Sequence, residues 1–278
     1  MRTLPGPGDP LSIAYLTYRG KPHVGGQGVY TRHLTKALAD LGHHVVVLSG
    51  QPYPHLDERV SLVKLPSLDI YNDHFPMRMP GLWEIKDLAD WAEVTSFSMG
   101  SFPEPLAFSM RAAKWLSDHG DDFDLVHVNQ NLGYELLAIE RQGLPVLGTI
   151  HHPITVDRRV EMEHAENWKA RWGKRRWYRF TRMQTRVAKR LRRIITVSEN
   201  SATDILADHE VPADRLHIVP VGVDPDLFRP LTGVERVPLR IISTASADVP
   251  MKGQRFLLEA VAKLRAERSD VSMTIIGS

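Results

Sequence analysis

The chain contains no cysteine, no long apolar run and almost no net charge. The absence of cysteine excludes disulfides and any catalytic or metal site built on thiolates. No stretch of about 18 apolar residues occurs, so the sequence predicts no membrane-spanning helix. The first ten residues, MRTLPGPGDP, lack the apolar core of a secretory signal. Together these absences favour a cytoplasmic protein.

The net charge of +2 conceals one strongly basic segment. Between His164 and Ile195 the chain has twelve Lys and Arg residues and a single acid, Glu166, whereas the remainder has 23 basic and 32 acidic residues. At helical spacing this segment forms an apolar stripe beside a basic one, which consists of Arg175, Arg179, Arg182, Arg186, Arg190 and Arg193.

Three interpretations of the basic segment stay open. The first is a helix packed on a sheet with a solvated basic face. The second is peripheral contact of the segment from Trp168 to Ile195 with an anionic membrane, at the inner face of the membrane for a cytoplasmic protein. The third is nucleic-acid binding, which is disfavoured because no nucleic-acid motif accompanies the charge.

Short apolar, β-branched runs alternate with segments of helical periodicity. The predicted strands cover residues 12–18, 44–49, 60–65, 124–128, 146–150 and 194–197, and the predicted helices cover 28–41, 105–119, 132–142 and 161–192. Strands that are apolar almost throughout are typical of a parallel sheet covered on both faces. The alternation therefore predicts an α/β fold with a doubly wound, Rossmann-like domain. Residues 66–101 are predicted to be an irregular insertion.

The later part of the chain predicts a second domain. Residues 218–238 carry four prolines and two glycines, which is typical of a connection between domains. A strand, a helix and a strand follow, and one such unit cannot cover its own sheet. The predicted division is an N-terminal domain at 1–217, a linker at 218–237 and the start of a C-terminal Rossmann-like domain at 238–278, the remainder of which is expected beyond Ser278.

The glycine-rich stretch VGGQGVYTRHL lies between the first predicted strand and the first predicted helix. Gly25, Gly26 and Gly28 allow close approach to the backbone, and a helix N-terminus offers free N–H groups, so the stretch suits an anion. A tight turn without a ligand explains the same glycines. A dinucleotide fingerprint is disfavoured because Thr31 stands where a third glycine is needed, and neither Gly-Lys pair fits a phosphate-binding P-loop.

A cation in the second domain provides a partner for that loop. The stretch SADVPMKG, residues 246–253, also joins the first strand and first helix of an α/β unit. Loops at the carboxyl ends of strands line the crevice in such folds. If the two domains face each other, Lys252 and the glycine loop are expected to hold a diphosphate leaving group between them. A solvated lysine at a helix start is the alternative.

Polar side chains follow other predicted strands. His151 and His152 follow the strand that ends in GTI, where an imidazole can bind a sugar hydroxyl or receive a proton, or make only a structural hydrogen bond. Asn129 and Gln130 suit sugar hydroxyls, whereas His127 inside its strand is expected to be packed. The paired acids at positions 122 and 124 and at 224 and 226 are interpreted as turn residues rather than metal ligands.

Taken in order, four stretches resemble the retaining nucleotide-sugar glycosyltransferases with the GT-B fold, a family 4-like group. The stretches are GGQGVYTRHLTKALADLGHHVVVLS, RIITVSENSATDIL, IVPVGVDPDLFRP and ADVPMKGQRFLLEAVAKL. The resemblance implies two Rossmann-like domains around a cleft, a donor nucleotide bound mostly by the C-terminal domain, an acceptor bound mainly by the N-terminal one, and no metal or other cofactor.

The resemblance also implies roles for single residues. Gly25, Gly26 and Gly28 match the glycine loop, Lys252 with Gly253 matches the phosphate-binding lysine, and Ser198 and Glu199 match a strand end near the donor. Three positions depart from the family pattern: Ser246 stands where arginine is frequent, Asn129 where a catalytic-site histidine is frequent, and Val221 where asparagine is frequent. An acidic E-x7-E element is expected beyond Ser278.

These observations predict an enzyme of glycan biosynthesis that transfers a hexosyl group, with retention, from a UDP- or GDP-sugar to a hydroxyl acceptor on a lipid, a sugar or another molecule. His151 and Asn129 are the candidate catalytic residues. The alternative is a non-catalytic, glycosyltransferase-like binding module or remnant, because the missing E-x7-E element leaves the activity of this chain open. A nicotinamide-dependent dehydrogenase is disfavoured by Thr31 and by the lack of an acid after the second strand.

Overall fold

The computed structural model describes residues 6, 8–22, 26–72, 75, 77–244 and 253–277. The chain divides into two compact units, residues 1–221 and 222–278. The division falls inside residues 218–237, the predicted linker.

The first unit is built on a parallel sheet in which the strand order is β3-β2-β1-β4-β5-β6-β7. Its strands are β1 (Ser12–Thr17), β2 (His44–Ser49), β3 (Ser61–Lys64), β4 (Leu125–Asn129), β5 (Val146–Thr149), β6 (Arg193–Thr196) and β7 (Leu216–Ile218). The six predicted strands are present to within two residues at each end. The short β7 was not predicted, because its three residues are too few to show a period.

Apolar side chains fill both faces of this sheet. The larger core cluster includes Leu16, Leu48 and Ile194, and a second cluster forms around Tyr15 and Val47. Successive residues of one strand point to opposite faces, so Tyr15 and Leu16 of β1 belong to different clusters. A sheet buried on both sides is the arrangement that near-continuous apolar strands predict, and it confirms the α/β fold class of the first unit.

Helices connect the strands. They are α1 (Gly26–Asp40), α2 (Leu88–Ser98), α3 (Glu104–His119), α4 (Glu135–Arg141), α5 (Ile154–Glu163), α6 (Trp168–Trp177), α7 (Thr181–Ala188) and α8 (Glu199–His209). The prediction of an irregular insertion at 66–101 is wrong for α2. This helix is N-capped by Asp87 and held through Asp90 and Glu93, whose carboxylates each accept a hydrogen bond from the buried Arg111 at 2.6 Å. Such long-range pairing is invisible in local periodicity.

The prediction of one helix over 161–192 is also wrong. Asn167 caps a new helix by accepting a hydrogen bond from the N–H of Ala170, and a 3₁₀ turn at Tyr178–Phe180 separates α6 from α7. The predicted basic stripe is therefore spread over α6, the turn, α7 and β6. Its apolar companion is buried, namely Phe180, Met183, Val187, Leu191 and Ile194. Over α7 the segment is thus a helix packed on the sheet with its arginines facing solvent.

The second unit contains β8 (Arg240–Thr244), α9 (Gln254–Glu267) and β9 (Ser272–Ile276), and its two strands pair in parallel. Val261 and Val271 are buried, whereas Ile242, Phe256 and Ile276 are exposed. Among the residues described, no helix in either unit is both long and apolar enough to cross a membrane.

Candidate functional site

The candidate site lies at the carboxyl edge of the large sheet, between β1 and β4. All strands of this sheet are parallel, so their carboxyl ends share one edge. β1 and β4 are neighbours although the chain first runs outward through β2 and β3, and the strand order therefore reverses between them. Ligand crevices in doubly wound sheets form at such a reversal. The segments that follow β1, β4 and β5 therefore border the expected crevice.

The glycines at the start of α1 differ in what surrounds them. A Cβ on Gly28 would lie 2.0 Å from the carbonyl oxygen of Lys21 and 2.7 Å from the carbonyl carbon of Gly20, so only glycine fits this position. A Cβ on Gly26, the first residue of α1, would meet no described atom within 4 Å. Packing therefore explains Gly28 but not Gly26. The predicted site residue Gly25 lies outside the described residues.

A chain of hydrogen bonds runs from β5 to the first turn of α1. His151 Nε2 lies 2.8 Å from Asn129 Oδ1, the Asn129 amide donates to Thr31 Oγ1 at 3.2 Å, and the Thr31 hydroxyl donates to the Gln27 carbonyl at 2.8 Å. Asn129 and Thr31 are fully buried. The structure thus brings the two predicted catalytic residues, His151 and Asn129, together beside the predicted glycine loop.

The donors along this chain determine the protonation of the imidazole. The Thr31 hydroxyl donates its hydrogen to the Gln27 carbonyl, so Thr31 Oγ1 accepts a hydrogen bond from the Asn129 amide nitrogen. The other atom of that amide, Asn129 Oδ1, can only accept, and it accepts from His151 Nε2. Nε2 of His151 then carries the proton. Nδ1 makes no hydrogen bond to any residue that the structure describes, and in this tautomer it is an acceptor. The arrangement can accept a hydrogen bond, or a proton, from a hydroxyl group.

Burial keeps this imidazole neutral. Burial lowers the pKa of His151 to about 4, and the nearby His152 makes a smaller contribution in the same direction. The Tyr30 ring packs edge-on against it with the ring centroids 4.6 Å apart. His127 is packed within β4 as predicted, bonded to Thr149 Oγ1 at 2.7 Å, and burial lowers its pKa to about 4. His152 is exposed and pairs with Asp157 at 3.2 Å.

Gln130 holds the loop after β5 rather than facing the crevice. Its Oε1 accepts a hydrogen bond from the N–H of His151 at 2.7 Å, and its Nε2 donates to the carbonyl of His152 at 2.9 Å. The backbone of Gln130 is left-handed, with φ of 57°. Both polar atoms of the Gln130 side chain thus fix the position of the histidines, and binding of a sugar hydroxyl by Gln130 stays a prediction.

Ser198 and Glu199 start α8 at the same edge of the sheet. Ser198 is the N-cap, and its Oγ accepts a hydrogen bond from the N–H of Ser201 at 3.2 Å. Glu199 is exposed in the first turn. In the part of the chain that is described, neither side chain makes a hydrogen bond to His151 or Asn129. Capping accounts for Ser198, and a role near the donor stays a prediction for both residues.

In the second unit only one of the predicted donor-side residues is described. Gly253 is the N-cap of α9 and has a left-handed backbone with φ of 67°, which favours glycine. No acidic residue occupies the first turn of α9. Lys252 lies outside the described residues, so its role stays a prediction, and Ser246, which departs from the family pattern, also lies outside them.

In each pair of acids, one carboxylate accepts backbone hydrogen bonds. Asp124 Oδ2 accepts a hydrogen bond from the N–H of Ser12 at the amino edge of the sheet, at 2.8 Å. Asp224 Oδ1 accepts from the N–H groups of Asp226 and Leu227, closing a turn. Over the described ranges, no group of three or more His, Asp or Glu side chains is arranged to hold a metal ion.

Three residues of the site carry no recognisable motif in the sequence: Gln27, Tyr30 and Thr31. Gln27 and Thr31 are separated by four positions, so they share one face of α1. Their spacing of four residues within the glycine stretch was the feature of the sequence that could have identified them as members of the site. Their pairing with Asn129, about a hundred residues later, depends on the placement of β4 beside β1.

Comparisons with known proteins identify the family of the chain. The model of Glycosyltransferase Family 4 matches residues 24–227, which is more than half of the chain. The MMP alpha-(1->4)-mannosyltransferase of Mycolicibacterium hassiacum is 52% identical over 267 residues, covering 96% of this chain. The chain spans 64% of the length of that relative.

Solved structures resemble the chain in fold. WaaG, a glycosyltransferase involved in lipopolysaccharide biosynthesis, has a TM-score of 0.60 at 13% identity, with 96% of this chain and 70% of that chain covered. Sucrose-phosphate synthase from Thermosynechococcus elongatus has a TM-score of 0.55 at 16% identity, with the same coverages. At these identities the likeness concerns the fold alone, and it confirms the predicted GT-B class. With the family model matching most of its length, the chain belongs to Glycosyltransferase Family 4.

Proposed function

We propose that the protein is a retaining glycosyltransferase that moves a mannosyl group from a nucleotide-diphosphate sugar to a hydroxyl of a saccharide. Family membership supports glycosyl transfer, and the 52% identical relative is a mannosyltransferase that forms an α-(1→4) linkage. Such a linkage places the acceptor oxygen on carbon 4 of a sugar. The donor is a GDP- or UDP-sugar, and transfer requires no metal or other cofactor. The observation that carries the proposal is the hydrogen-bond chain from His151 to Gln27.

In this proposal His151 binds a hydroxyl group in the crevice. The imidazole is neutral at pH 7, its Nε2 proton is held by Asn129, and Nδ1 is the acceptor. Asn129 is a positioning residue that fixes the tautomer and the ring orientation. The hydroxyl that donates to Nδ1 attacks the anomeric carbon of the donor as the bond from that carbon to the diphosphate breaks. The hydroxyl proton passes to Nδ1, and no protein nucleophile is assigned.

The leaving diphosphate is proposed to be stabilised by the glycine loop and by the second unit. The backbone N–H groups of Gly26 and Gly28 lie in the first turn of α1, where helical N–H groups lack intrahelical acceptors. Gly25, which is outside the described residues, is proposed to contribute to the same loop. Lys252 and Gly253 are proposed to bind the same diphosphate, and Ser198 and Glu199 the donor side of the crevice. Negative charge that develops on the leaving group is stabilised by such fixed donors.

The test is a transfer assay with GDP-mannose and UDP-glucose on the chain and on its longest natural form. We expect His151→Ala to lower kcat by about 10²-fold or more, the usual size of a general-base contribution, while the donor Kd changes little. His152→Ala is the matched control, because this neighbouring histidine is exposed, and it should keep near-normal kcat. Equal rates for His151→Ala and the unaltered protein would contradict the role of His151, and absence of binding by any nucleotide sugar would contradict the function.

A binding module without transfer is the second candidate. The observation that favours it is Asn129, which stands where the family resemblance predicts a histidine and which cannot exchange a proton. Saturable binding of a nucleotide sugar or a saccharide, with no product from any donor on the longest natural form, would establish this candidate instead.

We also propose a cytoplasmic location with peripheral membrane contact through the segment from Trp168 to Ile195. On α6, Trp168 is 73% exposed and Trp172 is 56% exposed. Basic segments with exposed aromatic residues favour anionic membrane surfaces. Co-sedimentation with anionic vesicles at low salt should be reduced by the pair Trp168→Ala and Trp172→Ala. An unaltered protein that stays in the supernatant contradicts the contact.

A further inference from the structure

A cavity of about 260 Å³ lies among α5, α6 and the start of α7, and arginines dominate its walls. Arg158 comes from α5, Arg175 and Arg176 from α6, Arg179 from the 3₁₀ turn and Arg182 from α7. Trp172 and Tyr178 complete the lining. Family membership and the proposed transfer site leave this cavity without a role.

Most of these arginines have no counter-charge. Arg158, Arg175, Arg179 and Arg182 make no hydrogen bond or ion pair with any residue that the structure describes, in contrast to Arg111, which is paired with Asp90 and Glu93. A guanidinium stays charged at any physiological pH. Like charges that face one cavity repel each other. Four unpaired guanidinium groups around one space therefore favour a multiply charged anion.

The walls of the cavity are held in place by other contacts. The hydroxyl of the buried Tyr178 donates to Glu161 at 2.8 Å, and Lys174 pairs with the same carboxylate at 2.8 Å, which ties α6 and the turn to α5. Arg176 lies over the Trp172 ring at 4.5 Å and donates to the carbonyl of Met99 at 2.8 Å. Glu161 is thus already engaged with Lys174 and Tyr178, so it does not neutralise the four unpaired arginines.

We propose that this arginine cavity binds a phosphate-bearing ligand, either a phosphomonoester or a diphosphate. Guanidinium groups match phosphate oxygens through paired N–H donors. A carboxylate brings a single charge, whereas a phosphomonoester brings nearly two at pH 7, which suits several unpaired cations better. The volume lies below the range of about 300–1,000 Å³ for sites that enclose a drug-sized ligand, so the cavity takes the phosphate-bearing end of its ligand. A soluble phosphorylated molecule and a phospholipid headgroup both supply this chemistry.

The experiment compares three forms of the chain in calorimetric titrations with inorganic pyrophosphate at low salt. The cavity variant is Arg179→Gln with Arg182→Gln. The matched control is Arg190→Gln with Arg192→Gln, which removes the same charge from exposed arginines outside the cavity. We expect the unaltered protein and the control to bind with similar Kd and the cavity variant to bind at least about tenfold more weakly, as expected for the loss of two charge-assisted contacts. Equal affinity in all three forms overturns the proposal.

Vesicles distinguish the source of the phosphate. Phosphatidylcholine vesicles with and without phosphatidic acid are offered to the same three forms. Binding that requires phosphatidic acid and is lost only in the cavity variant supports a lipid headgroup, whereas binding of pyrophosphate alone supports a soluble ligand. The proposal is overturned if the unaltered protein binds neither pyrophosphate nor the phosphatidic acid vesicles. It is also overturned if binding is weakened equally in the cavity variant and in the control. If the glutamine pair fails to fold by circular dichroism, Arg179→Lys with Arg182→Lys replaces it and should bind more weakly than the control.

Phosphate binding by the arginine cavity can be tested independently of the proposed glycosyl transfer. Donor binding and turnover measured on the same variants report on the crevice at β1 and β4, whereas the pyrophosphate binding that the cavity variant loses and the control keeps reports on the arginine cavity. Lost phosphate binding with intact turnover therefore supports the cavity alone, and intact phosphate binding with absent turnover contradicts only the proposed function.

Discussion

The same strand–helix–strand arrangement occurs in both units with different burial. In the first unit β1, α1 and β2 form it, and Val47 and Leu48 of β2 are completely buried. In the second unit β8, α9 and β9 form it, yet Ile242 is 55% exposed and Ile276 is 58% exposed. Both sets of strands are rich in β-branched residues. Apolar composition alone therefore does not determine whether a strand is buried.

Neighbouring elements account for the difference. β1 pairs with β2 on one side and with β4 on the other, and helices cover both faces. Among the described residues, β8 pairs only with β9. A two-stranded sheet with one helix has one face and two edges without cover. The comparison shows that the burial of such a unit depends on the elements packed beside it.

The two helix starts differ in a related way. Gly28 in α1 is required because the backbone of Gly20 and Lys21 passes directly over it. Gly253 before α9 is favoured by its own left-handed backbone, while a Cβ there would meet no described atom within 4 Å. One glycine is imposed by tertiary packing and the other by local geometry.

The largest expected change in stability comes from two substitutions that test the difference in burial between the units. Leu48→Ala should lower the free energy of unfolding of the first unit by about 2–5 kcal/mol, because it opens a cavity in a closed core. Ile242→Ala should cost less than about 0.5 kcal/mol, as expected for an exposed position. Urea unfolding followed by tryptophan fluorescence reports on the first unit alone, since all six tryptophans lie there.

Hydrogen exchange of peptides from α9 reports on the second unit in the same pair of variants. If Ile242→Ala raises exchange over the whole second unit as strongly as Leu48→Ala does over the first, then β8 is buried in solution and the comparison fails.

The next effect separates the two kinds of glycine. Gly28→Ala should destabilise the first unit by about 1–3 kcal/mol, because the helix start or the segment at Gly20 and Lys21 must move. Gly253→Ala should cost about 1 kcal/mol in the second unit through its left-handed backbone. Gly26→Ala is the control in α1 and should change stability by less than about 0.5 kcal/mol. A cost at Gly26 equal to that at Gly28 would contradict the packing explanation.

The last effect is a pH dependence of stability that comes from a buried histidine in the first unit. His209 is 1% exposed with Nδ1 at 2.9 Å from Thr185 Oγ1, and burial lowers its pKa to about 4. As the pH falls below about 6.5, His209 takes up a proton in the unfolded chain but not in the folded one. The free energy of unfolding therefore decreases from its value at neutral pH as the pH falls toward 4. Between pH 7 and 5 the loss is about 2 kcal/mol.

Urea unfolding at pH 7 and at pH 5 should therefore show a smaller loss of stability for His209→Asn than for the unaltered protein. Every other group contributes equally to both forms, including His127 and His151, whose lowered pKa values act in the same direction. The same loss in both forms would show that His209 does not titrate as its burial requires.

Much of the first unit was predictable from local patterns. The six predicted strands and the helices α1, α3 and α4 follow from periodicity, because burial on one or two faces leaves a repeat in the sequence. α2 and the break between α6 and α7 were not predictable. The first depends on the ion pairs of Arg111, and the second on the 3₁₀ turn at Tyr178–Phe180, which interrupts a continuous basic amphipathic pattern.

The candidate site was predictable only as a set of residues. The glycines, Asn129 and His151 follow strand ends, and the sequence indicates as much. The reason for Gly28 and the engagement of Gln130 with the backbone of His151 and His152 required the structure. These contacts join segments that are distant along the chain, and local patterns carry no information about them.

By itself the amino-acid sequence determined the parallel α/β architecture, the glycine stretch before the first helix and the concentration of arginines between residues 164 and 195. Those features depend on the spacing of residue types within one segment, where burial and charge repeat with the period of a helix or strand. Only the tertiary structure decided that Asn129 meets Thr31, that the arginines surround a cavity and that the strands of the first unit are covered while Ile242 is exposed. Each of these depends on which strand lies beside which, and that order arises from the packing of the whole chain.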